Sequence, residues 1–174
     1  MKILLAYATK SGTTRECVRR LAAELHQIPT ETVCLNNGCP DLSQYDLIVA
    51  GGPVRFGKLH PAVRQFLTGQ EALLRQKPLG LFLCCGLAHE YEYYCEHLLP
   101  KTLREHAFLT TDFGGSLRTD TKNPLERLLL HFIRSTIAES ELEDGEYTPS
   151  LPGILPENIG KMATYLRNEV AKLE

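Results

Sequence analysis

Apolar residues fall in short unbroken runs, separated by polar turns and by longer stretches of helical spacing. Lys2 to Tyr7 is such a run and predicts a central strand buried on both faces, as in a parallel sheet. Thr14 to His26 follows, with Cys17, Val18, Leu21, Ala22 and Leu25 on one helical stripe. Thr30 to Leu35 predicts a second strand, and Asn36 to Gln44 a loop with Asn-Gly and Pro-Asp turn signals. Asp46 to Ala50 predicts a third strand running into Gly51-Gly52-Pro53. Pro61 opens a helix through Leu67, with His60 just before it; Pro is favoured there because the first helical N–H has no intrahelical partner anyway. Leu79 to Cys85 predicts a fourth strand, Tyr91 to His106 a helix broken or shifted near Pro100, and Phe108 to Phe113 a fifth strand. The last helix, Pro156 to Leu173, carries Ile159, Met162, Ala163, Leu166, Val170 and Leu173 on one stripe.

Strand and helix therefore alternate through five strands. That order implies right-handed crossovers on a doubly wound parallel α/β sheet. One stretch breaks the rhythm. Leu117 to Leu155, before the last helix, holds a helical piece from Pro124 to Ile137 and a polar run from Glu139 to Gly145. Connections of that length are usually functional or mobile.

Composition narrows the classes. The chain has 174 residues, 43% hydrophobic and 23% charged, which suits one domain over residues 1–174 with an insert at about 117–155. A formal charge of −2 argues against a nucleic-acid binder, which shows a basic excess or stripe. No secretory signal is expected at the start, and the low-polarity run Leu79 to Ala88 is well short of the roughly 20 residues of a membrane helix. A cytoplasmic protein with six free thiols is the expectation. Cys84 and Cys85 would point to opposite faces of their strand. Cys34 and Cys39 have no second Cys/His pair at zinc spacing, so no metal site is expected.

Candidate chemistry gathers in three loops. The first, Thr9-Lys10-Ser11-Gly12-Thr13-Thr14, has four hydroxyls in six residues and leads into a helix, so it can offer hydroxyls, amides and a positive helix end to one anion. It is neither a Walker loop nor the dinucleotide fingerprint. A Thr/Ser helix cap with no ligand is the other reading of the same residues. The second loop, Pro53-Val54-Arg55-Phe56-Gly57 through His60, follows strand three. The third, Gly86-Leu87-Ala88-His89 through Tyr91 and Tyr94, follows strand four. With strand order 2-1-3-4-5, all three fall at the strands' carboxyl ends, where strands one and three diverge and ligands bind. A phosphate pocket beside two loops able to cover a planar ring describes an FMN site; packing or surface roles remain open for each tyrosine. Arg55, His60 and His89 are the candidates for a catalytic or proton-relay part.

The loop Thr9 to Thr14 resembles the flavodoxin phosphate loop, with Ser11 where the usual pattern has its second Thr. Val54-Arg55-Phe56-Gly57-Lys58-Leu59-His60-Pro61 is similar to the Ile-Arg-Tyr-Gly-His-x-His stretch of the flavodoxin-like, menaquinone-dependent protoporphyrinogen IX dehydrogenases. Gly115-Ser116-Leu117-Arg118 resembles that family's Gly-Ala-Leu-Arg before its long insert. Phe56 stands for the family's Tyr and Lys58 for its first His, and the chain has no Trp. The resemblance implies a flavodoxin-like fold, FMN held by the first loop and flanked by the other two, and redox chemistry carried by the flavin. It further implies a porphyrinogen or quinone as small-molecule partner. Arg118 to Ile137 would meet that substrate or a membrane surface, or would pack on the core or at a homodimer interface. Two other functions stay open: an electron carrier between redox proteins, and a non-redox module binding a phosphate or a partner protein. Carriers of that kind are typically strongly acidic, and −2 weighs against one.

Overall fold

The computed structural model describes residues 1–86, 90–115 and 153–173. Five strands form the parallel sheet: β1 (Ile3–Tyr7), β2 (Thr30–Cys34), β3 (Leu47–Arg55), β5 (Leu79–Cys84) and β6 (Leu109–Asp112). A short β4 (Lys58–Leu59) turns back antiparallel onto the end of β3. The order across the sheet is β2-β1-β3-β5-β6, which is the expected 2-1-3-4-5 once β4 is counted. Helices α1 (Thr13–Glu24), α2 (Pro61–Gly69), α3 (Glu71–Leu74), α4 (Tyr91–Leu98), α5 (Lys101–His106) and α6 (Pro156–Leu173) cover its two faces. The helix predicted over Tyr91–His106 is two helices, broken at Leu99-Pro100, because a residue before proline is steered out of the helical region.

Each face buries its own core. Ile3, Leu5 and Tyr7 of β1 point into one, with Phe82, Cys17, Val18 and Leu21 of α1, and Ile159, Met162 and Leu166 of α6. Leu4 and Ala6 point into the other, with Leu81 and Leu83 of β5, Val63 and Phe66 of α2, and Leu103 of α5. This period of two explains why the strands read as continuous apolar runs: both faces are dry. Each fully buried Leu or Ile contributes roughly 1.5–3 kcal/mol on that basis. Cys84 and Cys85 fall in opposite cores, as their adjacency predicted.

Strand β3 runs five residues beyond the predicted end at Ala50. Gly51 and Gly52 thus lie within a strand, and packing explains both. A Cβ on Gly51 would fall 2.0 Å from the Phe82 carbonyl oxygen, and one on Gly52 would fall 2.6 Å from Val63 Cγ2. Their absent side chains let β5 and α2 close on the strand that carries the second loop.

Candidate functional site

The first loop sits where β1 ends, between its neighbours β2 and β3, and leads into α1. Gly12 is the helix's N-cap residue, with φ +90°, and as a glycine it brings no side chain to cap the first turn. Thr9 Oγ1, almost fully buried, accepts the Gly12 N–H at 3.0 Å, and Thr14 is buried as well. The leading amides of an α-helix have no intrahelical acceptor, and the helix dipole favours an anion beside them. A side chain at Gly12 would meet nothing within 4 Å, so the space above the turn is open, and only the backbone angle there demands glycine. Glu16, whose charge would oppose an anion, is bound at 2.9 Å by both Arg19 and Arg20, which hold its carboxyl down at about 2. Donor set and open space fit a terminal phosphate.

Asn36, which the sequence reading left as a turn, holds the start of the loop in place. Its Oδ1 accepts the Thr9 N–H at 3.2 Å and its Nδ2 donates to the Thr9 carbonyl at 3.3 Å, clamping the start of the loop. The signal was available in the pairing: Tyr7 lies opposite Cys34, so two residues further along, 9 lies opposite 36.

The second loop is a hairpin. Arg55 pairs with Lys58, leaving Phe56 and Gly57 as a two-residue turn with φ +50° and +69°. Both positive angles belong to the turn type whose twist suits tight hairpins; Gly57 adopts its angle without strain, and Phe56 does not. The Phe56 ring is 45% exposed, with the Arg55 guanidinium 5.8 Å from its centre. His60 caps α2: its Nδ1 accepts the Ala62 N–H at 3.3 Å. Burial, then the charge of Lys10, pushes its pKa down, so the ring is neutral with its proton on Nε2. A groove of about 570 Å³ runs between this hairpin, the start of α2 and the end of α4.

On the third loop, Gly86 is half-buried, and Leu87, Ala88 and His89 lie outside the described residues. Tyr91 and Tyr94 are half-buried against the core beneath α2, and burial pushes both hydroxyls up. Tyr93 is the exposed tyrosine here, stacked on His97 at 4.1 Å. Asp112, also missed in the sequence, is 5% exposed; its Oδ1 accepts the N–H of Cys85 at 3.1 Å and of Gly114 at 2.9 Å. It ties the root of the third loop to the residues leaving β6. Burial raises its carboxyl above the ordinary value, against the pull of those two amides.

The insert leaves and returns at this same place. Gly114 bridges Ile154, and the Leu155 N–H donates to the Phe113 carbonyl at 3.0 Å. Gly115 fits only as glycine, since a Cβ would fall 2.9 Å from Cys85. Arg118 to Ile137 lies outside the described residues. Among the described residues no group of three His, Cys, Asp or Glu could hold a metal ion, and no helix is long and apolar enough to cross a membrane.

An open parallel sheet with an uncapped helix end beside its diverging strands defines a doubly wound α/β protein with a phosphate-type loop. The chain belongs to the flavodoxin domain family, whose family model matches residues 4–143. It is similar to the protoporphyrinogen IX dehydrogenase (quinone) of Escherichia coli strain K12, at 29% identity over 85 residues, 47% of this chain and 47% of that protein. The chain thus spans about half the length of the curated relatives it matches. A flavodoxin from the domain Archaea shares the fold, with 15% identity, 80% of this chain and 98% of that one covered, and a TM-score of 0.50. A Fusobacterium nucleatum flavodoxin bound to flavin mononucleotide matches with 14% identity, the same coverage and a TM-score of 0.43.

Proposed function

We propose that the chain is an FMN-binding flavoprotein oxidoreductase of the quinone-dependent protoporphyrinogen IX dehydrogenase type. The observation that carries the flavoprotein reading is the N-terminus of α1, whose cap residue is Gly12 with its left-handed backbone and open space above the turn. Thr9, Lys10, Ser11, Gly12, Thr13 and Thr14 would hold the phosphate. Pro53, Val54, Arg55, Phe56 and Gly57 on one side, and Gly86, Leu87, Ala88, His89, Tyr91 and Tyr94 on the other, would flank the ring. When bound, FMN would supply the acceptor for hydride or electrons. The protein's part is to hold it, to shield it, and to keep His60 neutral, so that its Nε2–H can donate a hydrogen bond beside the hairpin.

The substrate reading is supported by the match to the Escherichia coli enzyme and by the stretch Val54 to Pro61. The groove beside that stretch is large enough for a small-molecule substrate, and the insert is rooted at Gly114 and Gly115 beside the third loop. Arg118 to Ile137 would meet the apolar substrate or a membrane surface. An electron carrier is the second reading, and the formal charge of −2 weighs against it, since such carriers are typically strongly acidic. The test is anaerobic oxidation of protoporphyrinogen by the FMN-loaded protein with a menaquinone analogue. Turnover is expected; no turnover, alongside rapid reduction by a ferredoxin reductase, moves the assignment to the carrier.

A further inference from the structure

Strands β1 and β2 separate just where the phosphate-type loop begins. Their parallel register ends at the pair Tyr7 and Cys34, and the chain after β2 winds into a single 3-10 turn over Leu35–Asn37. The backbone of that turn does not extend the ladder to residue 9. Thr9 is 9% exposed, so its N–H and C=O need partners within the protein. The side chain of Asn36 meets both: Oδ1 accepts the N–H at 3.2 Å and Nδ2 donates to the C=O at 3.3 Å. A side-chain amide offers donor and acceptor side by side, as a peptide group does, so Asn36 adds one more rung where the backbones have parted. Three features hold that side chain in place. Leu35 is buried and anchors the turn, the Gly38 N–H closes it on the Leu35 carbonyl at 3.3 Å, and the Cys34 thiol donates to Asn36 Oδ1 at 3.4 Å. Thr9 Oγ1 accepts the Gly12 N–H, so Thr9 links Asn36 to the residue that opens α1.

We propose that Asn36 is the positioning residue of the phosphate-type loop: it fixes Thr9 before any ligand arrives, and so sets the affinity for a flavin with a terminal phosphate over the same flavin without one. A loop already held in one shape loses less freedom when its ligand docks, and the difference appears as affinity. The effect falls on the phosphate end because of where Asn36 reaches. Among the described residues its side-chain hydrogen bonds go to Thr9 and Cys34, and none goes to the second or third loop. The inference deepens the flavoprotein reading and rests on it for the ligand; the hold on Thr9 stands without it.

The test compares FMN with riboflavin, its phosphate-free counterpart, by quenching of flavin fluorescence in buffer without phosphate, for the parent and for Asn36→Ala. The variant should bind FMN roughly tenfold or more weakly, because two buried polar groups of Thr9 lose their partners, and should bind riboflavin within about threefold of the parent. A variant that merely loosens the fold loses both flavins alike. That result would overturn the proposal, and so would an unchanged affinity for FMN. Hydrogen exchange supplies a second readout on the flavin-free chain. The Thr9 amide of the parent should exchange roughly a hundredfold more slowly than a free amide, and Asn36→Ala should remove most of that protection. Should Asn36→Ala fail to fold, Asn36→Ser, too short to reach both groups, serves with the same expected losses. Should that fail too, the parent decides: a Thr9 amide that exchanges freely until FMN is added would overturn the proposal. If the parent binds neither flavin, the flavoprotein reading falls, and exchange of the Thr9 amide still decides whether Asn36 orders the loop.

Discussion

Asp112 shows how one buried side chain can serve a site it does not enter. Its carboxyl costs burial, yet two amides from different loops converge on one oxygen, so removing it would release Cys85 and Gly114 together. The native carboxyl titrates above its unfolded value. Its neutral form is therefore the one the fold favours: that contribution is whole below the unfolded pKa and is lost as pH rises through the folded one. Asp112→Asn keeps an oxygen for both amides and cannot ionise. Its melting temperature relative to the parent should therefore climb from about pH 4 toward pH 7. A difference that is flat with pH would mean that the carboxyl ionises in the fold as easily as outside it. Asn36 and Gly12 act more locally, one by clamping the phosphate-type loop and the other by supplying a backbone angle.

Among the elements, the sheet was the most legible part of the sequence. Buried parallel strands announce themselves as apolar runs, and Pro100, Pro61 and Pro156 marked helix boundaries within a residue or two. The hairpin over Arg55 to Lys58 was not legible. Its turn places Phe, not Asn or Asp, at the first positive angle, so the usual signal was missing, and two glycines before it suggested a loop where packing against Phe82 and Val63 keeps a strand. Of the site, the phosphate-type loop was read directly because its residues are consecutive. Asn36 and Asp112 were not, because they reach the site from neighbouring strands across the sheet. The insert could be bounded but not interpreted. Since Phe113–Gly115 and Gly153–Leu155 already meet, replacing residues 117–151 with a short Gly/Ser turn should leave the fold and FMN binding intact. Stability should change by about 2 kcal/mol or less from loop closure, and protoporphyrinogen turnover should be lost. Loss of cooperative unfolding would show instead that the segment belongs to the core.

At the scale of the whole molecule, a near-neutral chain concentrates positive charge on one side of its phosphate-type loop. Everything proposed about turnover depends on the loop before α1 holding FMN. Titration of FMN with the purified chain, followed by quenching of flavin fluorescence, tests that most directly. Saturation should come at one flavin per chain. Gly12→Val should lose at least tenfold in affinity, because the left-handed angle costs a β-branched residue about 1–2 kcal/mol and the new side chain enters the open space above the turn. A chain that leaves flavin fluorescence unchanged, or a Gly12→Val variant that binds FMN as tightly as the parent, would contradict it.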